Sequence, residues 1–541
     1  MDFESTLTRR GLLINKNCIK NKIINRIKRE LTVKPKTMQD FNTDNIKAFK
    51  VYKTIDEKIL CLPRYYGEKI FGQPTITQPF NSQPINLIFN GSLRPLQNEV
   101  VEKVLNHVKE NGGGLISLPC GYGKTVIALN IAVKLGVKTL VIVHKTFLQN
   151  QWYERIKHFT NARIGMIRQK KTDVANKDIV VGMLQSISMI DYDQSIFDDF
   201  GLVIFDEVHH VGSRIFSRAL FKTGAQYTIG LSATPTRSDG LTKVIKWHLG
   251  KMIHKVEREG CKYVAIRILE FNSNDQKFQP KQMWFNKKMR PAVQKMINNI
   301  TELQSRNDLI INTIKELVIN QRDRKLLLLS GRLKHLELLK TSIDKIIQEK
   351  VAIEELEQDE IKTAYYIGGM KEYQMDDASE ADIIFATYAM AEEGLDIVDL
   401  NTLIFATPKS SITQSIGRIL RKQIESGDIP PLVVDISDNL SSFPFQAQKR
   451  LNHYHQNDYR IKTYKTFDEN IVNELQYKSI SENKTQNEII SKYPEFGKYI
   501  DQNITLKQVF DTNHNDEDED EDKNNDNDDN DDNEDFFFAE F

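Results

Sequence analysis

Two stretches of the sequence hold residue types that could handle a phosphate chain. In Leu115-Ile-Ser-Leu-Pro-Cys-Gly-Tyr-Gly-Lys-Thr125 an apolar run leads into two glycines, a lysine and a hydroxyl. A phosphate needs backbone amides converging on it, and Gly121 and Gly123 permit that approach. Pro119, Cys120, Gly121, Tyr122 and Gly123 form the loop. Lys124 would reach the β- and γ-phosphates of ATP, and the Thr125 hydroxyl would hold Mg2+. Leu118 stands where the general G-x-x-x-x-G-K-[ST] pattern has its first glycine. The second stretch is Leu202-Val-Ile-Phe-Asp-Glu-Val-His-His210. Asp206 would hold Mg2+ through water, and Glu207 would orient and polarise an attacking water. An Asp-Glu pair after a strand is mostly structural when it stands alone. About 80 residues after a Gly-x-Gly-Lys-Thr loop, it is a specific signal.

Such residues need rigid elements to aim them. Compact β-branched runs at Gly114–Leu118, Thr139–Val143, Ile179–Met183, Leu202–Phe205 and Thr228–Leu231 read as strands, each followed by a turn or helix. That alternation predicts a parallel, doubly wound sheet, with ligands at the carboxyl ends of its strands. The pattern returns at Lys325–Leu329, Thr363–Ile367, Asp382–Ala386 and Thr402–Ala406. Residues 257–310 between the two units read as a polar, helical linker. Upstream, Ile19, Ile23, Ile24, Ile27 and Leu31 recur at helical spacing beside Lys20, Lys22, Lys28 and Arg29. They predict an amphipathic helix that either covers a neighbouring sheet or offers a basic face to DNA.

Composition bounds the function classes. The formal net charge is zero, but residues 516–541 hold fifteen acidic residues and one lysine. The remaining 515 residues carry 73 Lys+Arg against 59 Asp+Glu, a net of +14. A basic body suits a phosphate-binding protein, and a lysine-rich proteome gives the same balance. No apolar run approaches the roughly 20 residues that span a bilayer. The polar Met1–Arg10 argues against a secretory signal. An intracellular, cytoplasmic location is expected, with no membrane partner. Cys18, Cys61, Cys120 and Cys261 are far apart, so they read as reduced thiols rather than a metal site.

Over residues 91–425 the chain resembles superfamily 2 helicases of the DEAH/DEVH type. Leu93-Arg-Pro-Leu-Gln97, Val143-His-Lys-Thr-Phe-Leu-Gln-Asn-Gln-Trp152, Gly182-Met-Leu-Gln-Ser186, Ser232-Ala-Thr234, Leu329-Ser-Gly-Arg332, Ala386-Thr-Tyr-Ala-Met-Ala-Glu-Glu-Gly-Leu-Asp396 and Gln414-Ser-Ile-Gly-Arg-Ile-Leu-Arg421 are similar to that superfamily's motifs. The extension Pro235-Thr-Arg-Ser-Asp-Gly240 is similar to the group holding the XPB-type, UvsW and poxvirus transcript-release helicases. The resemblance implies an α/β fold of two RecA-like parallel-sheet domains in tandem, at 91–256 and 311–470. A small basic N-terminal domain (1–90) precedes them; a helical extension and disordered acidic tail (471–541) follow.

The resemblance also implies roles. ATP would lie between the domains, with Arg94 and Gln97 on the adenine and Asp396 and Gln414 on the nucleotide. Arg418 and Arg421, three apart on one helical face, would act as arginine fingers that neutralise the transferring phosphoryl group. His209, Ser232 and Thr234 would couple hydrolysis to movement. Lys145, Thr146, Gln185, Ser186, Arg332 and Thr387 would hold nucleic-acid phosphates without reading sequence. DNA, single-stranded or duplex, is the expected partner and RNA the alternative; a non-catalytic scaffold is the remaining one. The tail ends Asp535-Phe-Phe-Phe-Ala-Glu-Phe541, either a solubilising extension or a docking segment for a protein partner.

Overall fold

The computed structural model describes residues 4–35, 47–119, 121–234, 236–237, 239–256, 264–285, 288–358, 360–395, 397–422, 428–466 and 477–482. Two eight-stranded sheets dominate. The first runs, from edge to edge, Lys171–Asp173, Ile164–Arg168, Ile179–Met183, Thr139–Val143, Leu202–Phe205, Tyr227–Ser232, Gly113–Ser117 and Met252–Lys255. All neighbours are parallel except the first pair. The central strands are buried along their whole length. That explains why they read as unbroken apolar runs, since both faces carry helices. Trp152, Ile156, Val101 and Val104 fill one side, and Val244, Ile245 and Leu220 the other.

The second sheet orders Thr363–Tyr366, Ile383–Thr387, Leu326–Ser330, Thr402–Phe405, Leu432–Asp438, Ala265–Phe271, Arg460–Thr466 and Tyr477–Glu482. Here too only the last pair is antiparallel. Two expectations are corrected. Residues 257–310 are not simply a helical linker: Ala265–Phe271 is an interior strand, followed by a hairpin, Gln282–Phe285 and Lys288–Pro291. Only then come helices, Val293–Thr301 and Gln304–Ile314. Arg267 broke the apolar pattern of that strand, yet it is buried and its Nη1 donates to Glu316 Oε1 at 2.9 Å. In the expected helical extension, Tyr477–Glu482 is a strand; the acidic tail lies outside the described residues.

The N-terminal unit is a five-stranded sheet crossed by the helix Asn21–Glu30. Ile24 and Ile27 are buried, and Ile27 joins Leu12, Leu60 and Leu62 in one cluster. The helix therefore covers a sheet, the first of its two readings. The unit is seated on the first large lobe: Arg9 Nη1 donates to the Phe200 carbonyl at 2.8 Å, and Tyr66 meets Trp247 edge-on at 5.4 Å. Among the described residues no helix is long and apolar enough to cross a membrane.

Candidate functional site

The strand Gly113–Ser117 ends in the glycine loop, and the helix Lys124–Leu135 starts from it. Gly121 and Gly123 have φ of +80° and +92°, a region open to glycine. A Cβ on Gly123 would lie 2.5 Å from the Gln97 amide nitrogen. That amide donates to the Tyr122 carbonyl at 2.8 Å, and Arg94 Nη2 donates to the same carbonyl at 2.7 Å. Gln97 Oε1 accepts the Arg94 backbone N–H. The nitrogen of the Gln97 amide thus braces the loop, while its oxygen caps the helix Pro95–Asn111 that carries it.

The strand Leu202–Phe205 delivers Asp206 and Glu207 to the same edge of the sheet, because neighbouring parallel strands end together. Glu207 sits at φ +45°, a strained conformation of the kind that clusters at active sites. Its Oε1 lies 3.7 Å from Lys124 Nζ. Its Oε2 accepts from the Ser232 hydroxyl at 3.5 Å and stands 3.4 Å from His209 Nδ1. His209 Nδ1 and Ser232 Oγ are themselves 3.1 Å apart. Asp206 is held at both oxygens: Oδ2 accepts from the Trp152 indole N–H at 2.8 Å and Oδ1 from the Glu207 backbone N–H at 2.9 Å. Burial, followed by the adjacent Glu207 charge, raises the Asp206 carboxyl above its ordinary range. Burial pushes Glu207 the same way, but Lys124, His209 and Arg418 together bring it below that range.

The second lobe closes on this edge. Gln414 Nε2 donates to Thr234 Oγ1 at 3.5 Å, and Lys145 Nζ to the Ala389 carbonyl at 3.4 Å. Arg421 lies against the glycine loop, its Cα and Cγ 3.8 Å from where a Gly121 Cβ would be. The expected helical face is corrected: the helix Thr413–Ile416 ends before Arg418, which a following turn carries. Gly417 caps that helix, so backbone turns, not helical spacing, aim the two arginines. Arg418 is buried, and its guanidinium donates to the carbonyls of Leu395 and Glu392. Its Nε is a buried donor with no acceptor among the described residues.

The residues present fit a nucleoside triphosphate: a glycine cradle, an ammonium beside a carboxylate, and a buried guanidinium on the other lobe whose charge reaches that carboxylate. Among the described residues no cluster of three His, Cys, Asp or Glu could hold a metal. Mg2+ needs no such cage, since phosphate oxygens and water complete the shell around one or two protein ligands. Thr125 and Asp206 at this edge suit that role. Cys120 and Asp396, expected on the nucleotide, lie outside the described residues.

The strand-binding expectation divides. Thr146 is exposed and Lys145 half-buried at the cleft between the lobes. Thr387 precedes the helix Tyr388–Gly394. Gln185 donates to the His144 carbonyl. Arg332 is fastened to Gln294 Oε1 and Asn298 Oδ1 on the helix Val293–Thr301. Ser186 is corrected: it is buried, and its hydroxyl accepts the Gln169 backbone N–H at 2.9 Å, which takes it off the surface. Three contributors escaped sequence reasoning. Trp152 holds Asp206, Arg237 donates to the His209 carbonyl while paired to Asp239, and Glu392 accepts from Lys409 and Ser415 beside Arg418. All three stood inside recognised motifs, but Asp206 and His209, which Trp152 and Arg237 hold, are distant from them in sequence.

Residues 90–237 match the family model described as "Type III restriction enzyme, res subunit". A protein of Acanthamoeba polyphaga mimivirus, with the assigned name of an ATP-dependent RNA helicase, is 37% identical over 473 residues, 86% of this chain and 87% of that protein. A protein of Invertebrate iridescent virus 6, with the assigned name of a helicase, is 30% identical over 396 residues, covering 70% of this chain and 85% of its own. Among solved structures, the DNA-bound ATP-dependent Type ISP restriction-modification enzyme LlaBIII shares the fold, with a TM-score of 0.50 and 15% identity over 76% of this chain and 33% of that one. With its glycine loop, its Asp-Glu pair and its facing arginines set between two parallel-sheet lobes, the chain belongs to the superfamily 2 helicases, which are nucleic-acid-dependent ATPases.

Proposed function

We propose that this chain is a DNA-directed motor of the DEVH type that hydrolyses ATP between its two lobes and serves transcript release or repair. One observation carries the ATP reading: a single carboxylate, Glu207, is met by Lys124, Ser232 and His209 at the edge where the second lobe brings Arg418 and Arg421. Glu207, kept ionised by those cations, orients a water and accepts its proton. Lys124, with the loop amides, holds the β- and γ-phosphates. Thr125 and Asp206 would hold Mg2+, which neutralises phosphate charge when bound. Arg418 and Arg421 face the transferring group from the other lobe, a contribution worth orders of magnitude in rate. Arg94 and Gln97 flank the loop on the side proposed for adenine. Ser232 and Thr234 join the two events, since Ser232 touches Glu207 and Thr234 meets Gln414.

The strand is proposed to run over both lobes past Lys145, Thr146, Gln185, Arg332 and Thr387. The DNA reading is supported by the resemblance of the extension after Ser-Ala-Thr to that of the XPB, UvsW and poxvirus group; in this chain Arg237 of that extension, paired to Asp239, donates to the His209 carbonyl. A second reading, RNA, is favoured by the assigned name of the mimivirus relative. Phosphate release measured with single-stranded DNA and with RNA separates the two. Stimulation by DNA is expected, falling as salt rises; stimulation by RNA alone overturns the DNA reading. Glu207→Gln is expected to keep ATP binding and to hydrolyse it at least about 100-fold more slowly. Normal turnover in that variant removes the role given to Glu207.

A further inference from the structure

The hairpin Gln282–Phe285 and Lys288–Pro291 belongs to neither large sheet. Its register sets Trp284 directly opposite Met289, so the two side chains share one face. Both are exposed, Trp284 at 68% and Met289 at 54%. A two-stranded hairpin gains little stability of its own, and an open tryptophan–methionine face adds none. Residues 281–290 hold Lys281, Lys287, Lys288 and Arg290 and no acidic residue. An aromatic plane in a segment rich in basic residues is the composition that receives a nucleic-acid strand: bases stack on the ring, and cations meet the phosphates.

The hairpin's root fixes its place. The Ala292 backbone N–H donates to the Lys281 carbonyl at 2.8 Å, and the chain runs directly into the helix Val293–Thr301. That helix supplies Gln294 and Asn298, the two side chains that fasten Arg332. The hairpin therefore springs from the element that orients a residue proposed above to hold the strand.

The geometry points to this hairpin as a base-stacking platform for single-stranded nucleic acid, with Trp284 as its stacking residue. This rests on the motor reading above and adds a contact to it. Stacking is tolerant of sequence, so DNA and RNA strands are both fitting occupants.

Full-length protein and an oligothymidylate probe test the idea, with an oligouridylate probe as the second arm. The chain has three tryptophans. Trp152 is buried at 1% exposure, whereas Trp284 is open. Binding is expected to quench the wild-type emission. Trp284→Phe is expected to keep most of the affinity and lose that quench. Trp284→Ala is expected to bind about 5- to 100-fold more weakly with unchanged ATPase in the absence of nucleic acid. An alanine variant that binds both probes as tightly as wild type overturns the platform and leaves the motor reading standing. The platform is equally overturned if that substitution only dissociates a self-associated form on gel filtration. A wild-type protein that binds neither probe, with ATPase indifferent to both, overturns the platform and the motor reading together.

Discussion

At the scale of single residues, the site is a set of charges balanced by neighbours from other elements. Trp152 shows how far that balance reaches. Its ring is a core side chain of the helix Thr146–Phe159, and its one polar atom is spent on Asp206 Oδ2. Trp152→Phe keeps most of the apolar bulk and deletes the hydrogen bond. Asp206 then loses a fixed orientation, and ATP hydrolysis is expected to need several-fold more Mg2+ for half-maximal rate, with a fall in kcat of about tenfold. An unchanged Mg2+ titration would show that Asp206 is positioned without the indole. The residues proposed to bear the chemistry were legible in the sequence, because Gly-Tyr-Gly-Lys-Thr and Asp-Glu are contiguous. Their supports were not. Nothing local couples Trp152 to Asp206 or Arg237 to His209, and the demotion of Ser186 to a buried strut depends on a loop seventeen residues earlier.

At the scale of elements, strands buried on both faces announced themselves as apolar runs, while strands that carry a buried charge did not. Arg267 hid Ala265–Phe271, since its neutralising Glu316 sits forty-nine residues downstream. The same device appears inside the second lobe, where Arg306 and Asp438 are fully buried, 2.6 Å apart, and Arg306 also donates to the Ala406 carbonyl. Those bonds tie the helix Gln304–Ile314 to the ends of two strands. Arg306→Leu leaves Asp438 buried without a partner, and urea denaturation is expected to show a loss of about 3–5 kcal/mol. Lys345→Ala, which breaks an exposed helix pair with Glu349, is expected to change stability by less than about 0.5 kcal/mol. Equal effects would mean that the buried pair contributes only as a surface bridge does.

At the scale of the whole molecule, both lobes carry a histidine locked in its neutral form. Burial, then Lys53, pushes His248 down to about 3, and burial, then Arg306, pushes His335 to about 3. An unfolded chain protonates these rings near pH 6.5 while the native one does not. Stability is therefore complete above that pH and falls as pH drops toward 3, at up to roughly 1.4 kcal/mol per unit for each ring. Melting curves between pH 7 and 5 are expected to shift steeply downward. His248→Leu, which removes a ring whose Nε2 has no partner among the described residues, is expected to flatten the shift, and an unflattened curve would assign the acid sensitivity elsewhere. The strand Ala265–Phe271 has a consequence for how this chain is made. It pairs on one side with Leu432–Asp438 and on the other with Arg460–Thr466. The first lobe can close its sheet once Met252–Lys255 has left the ribosome, but this strand waits about 160 further residues for its first partner and nearly two hundred for its second. Vectorial synthesis thus yields a finished ATP-loop half tethered to an unzipped one, and that interval is when the nascent protein is most exposed to misassembly and most in need of a chaperone's cover.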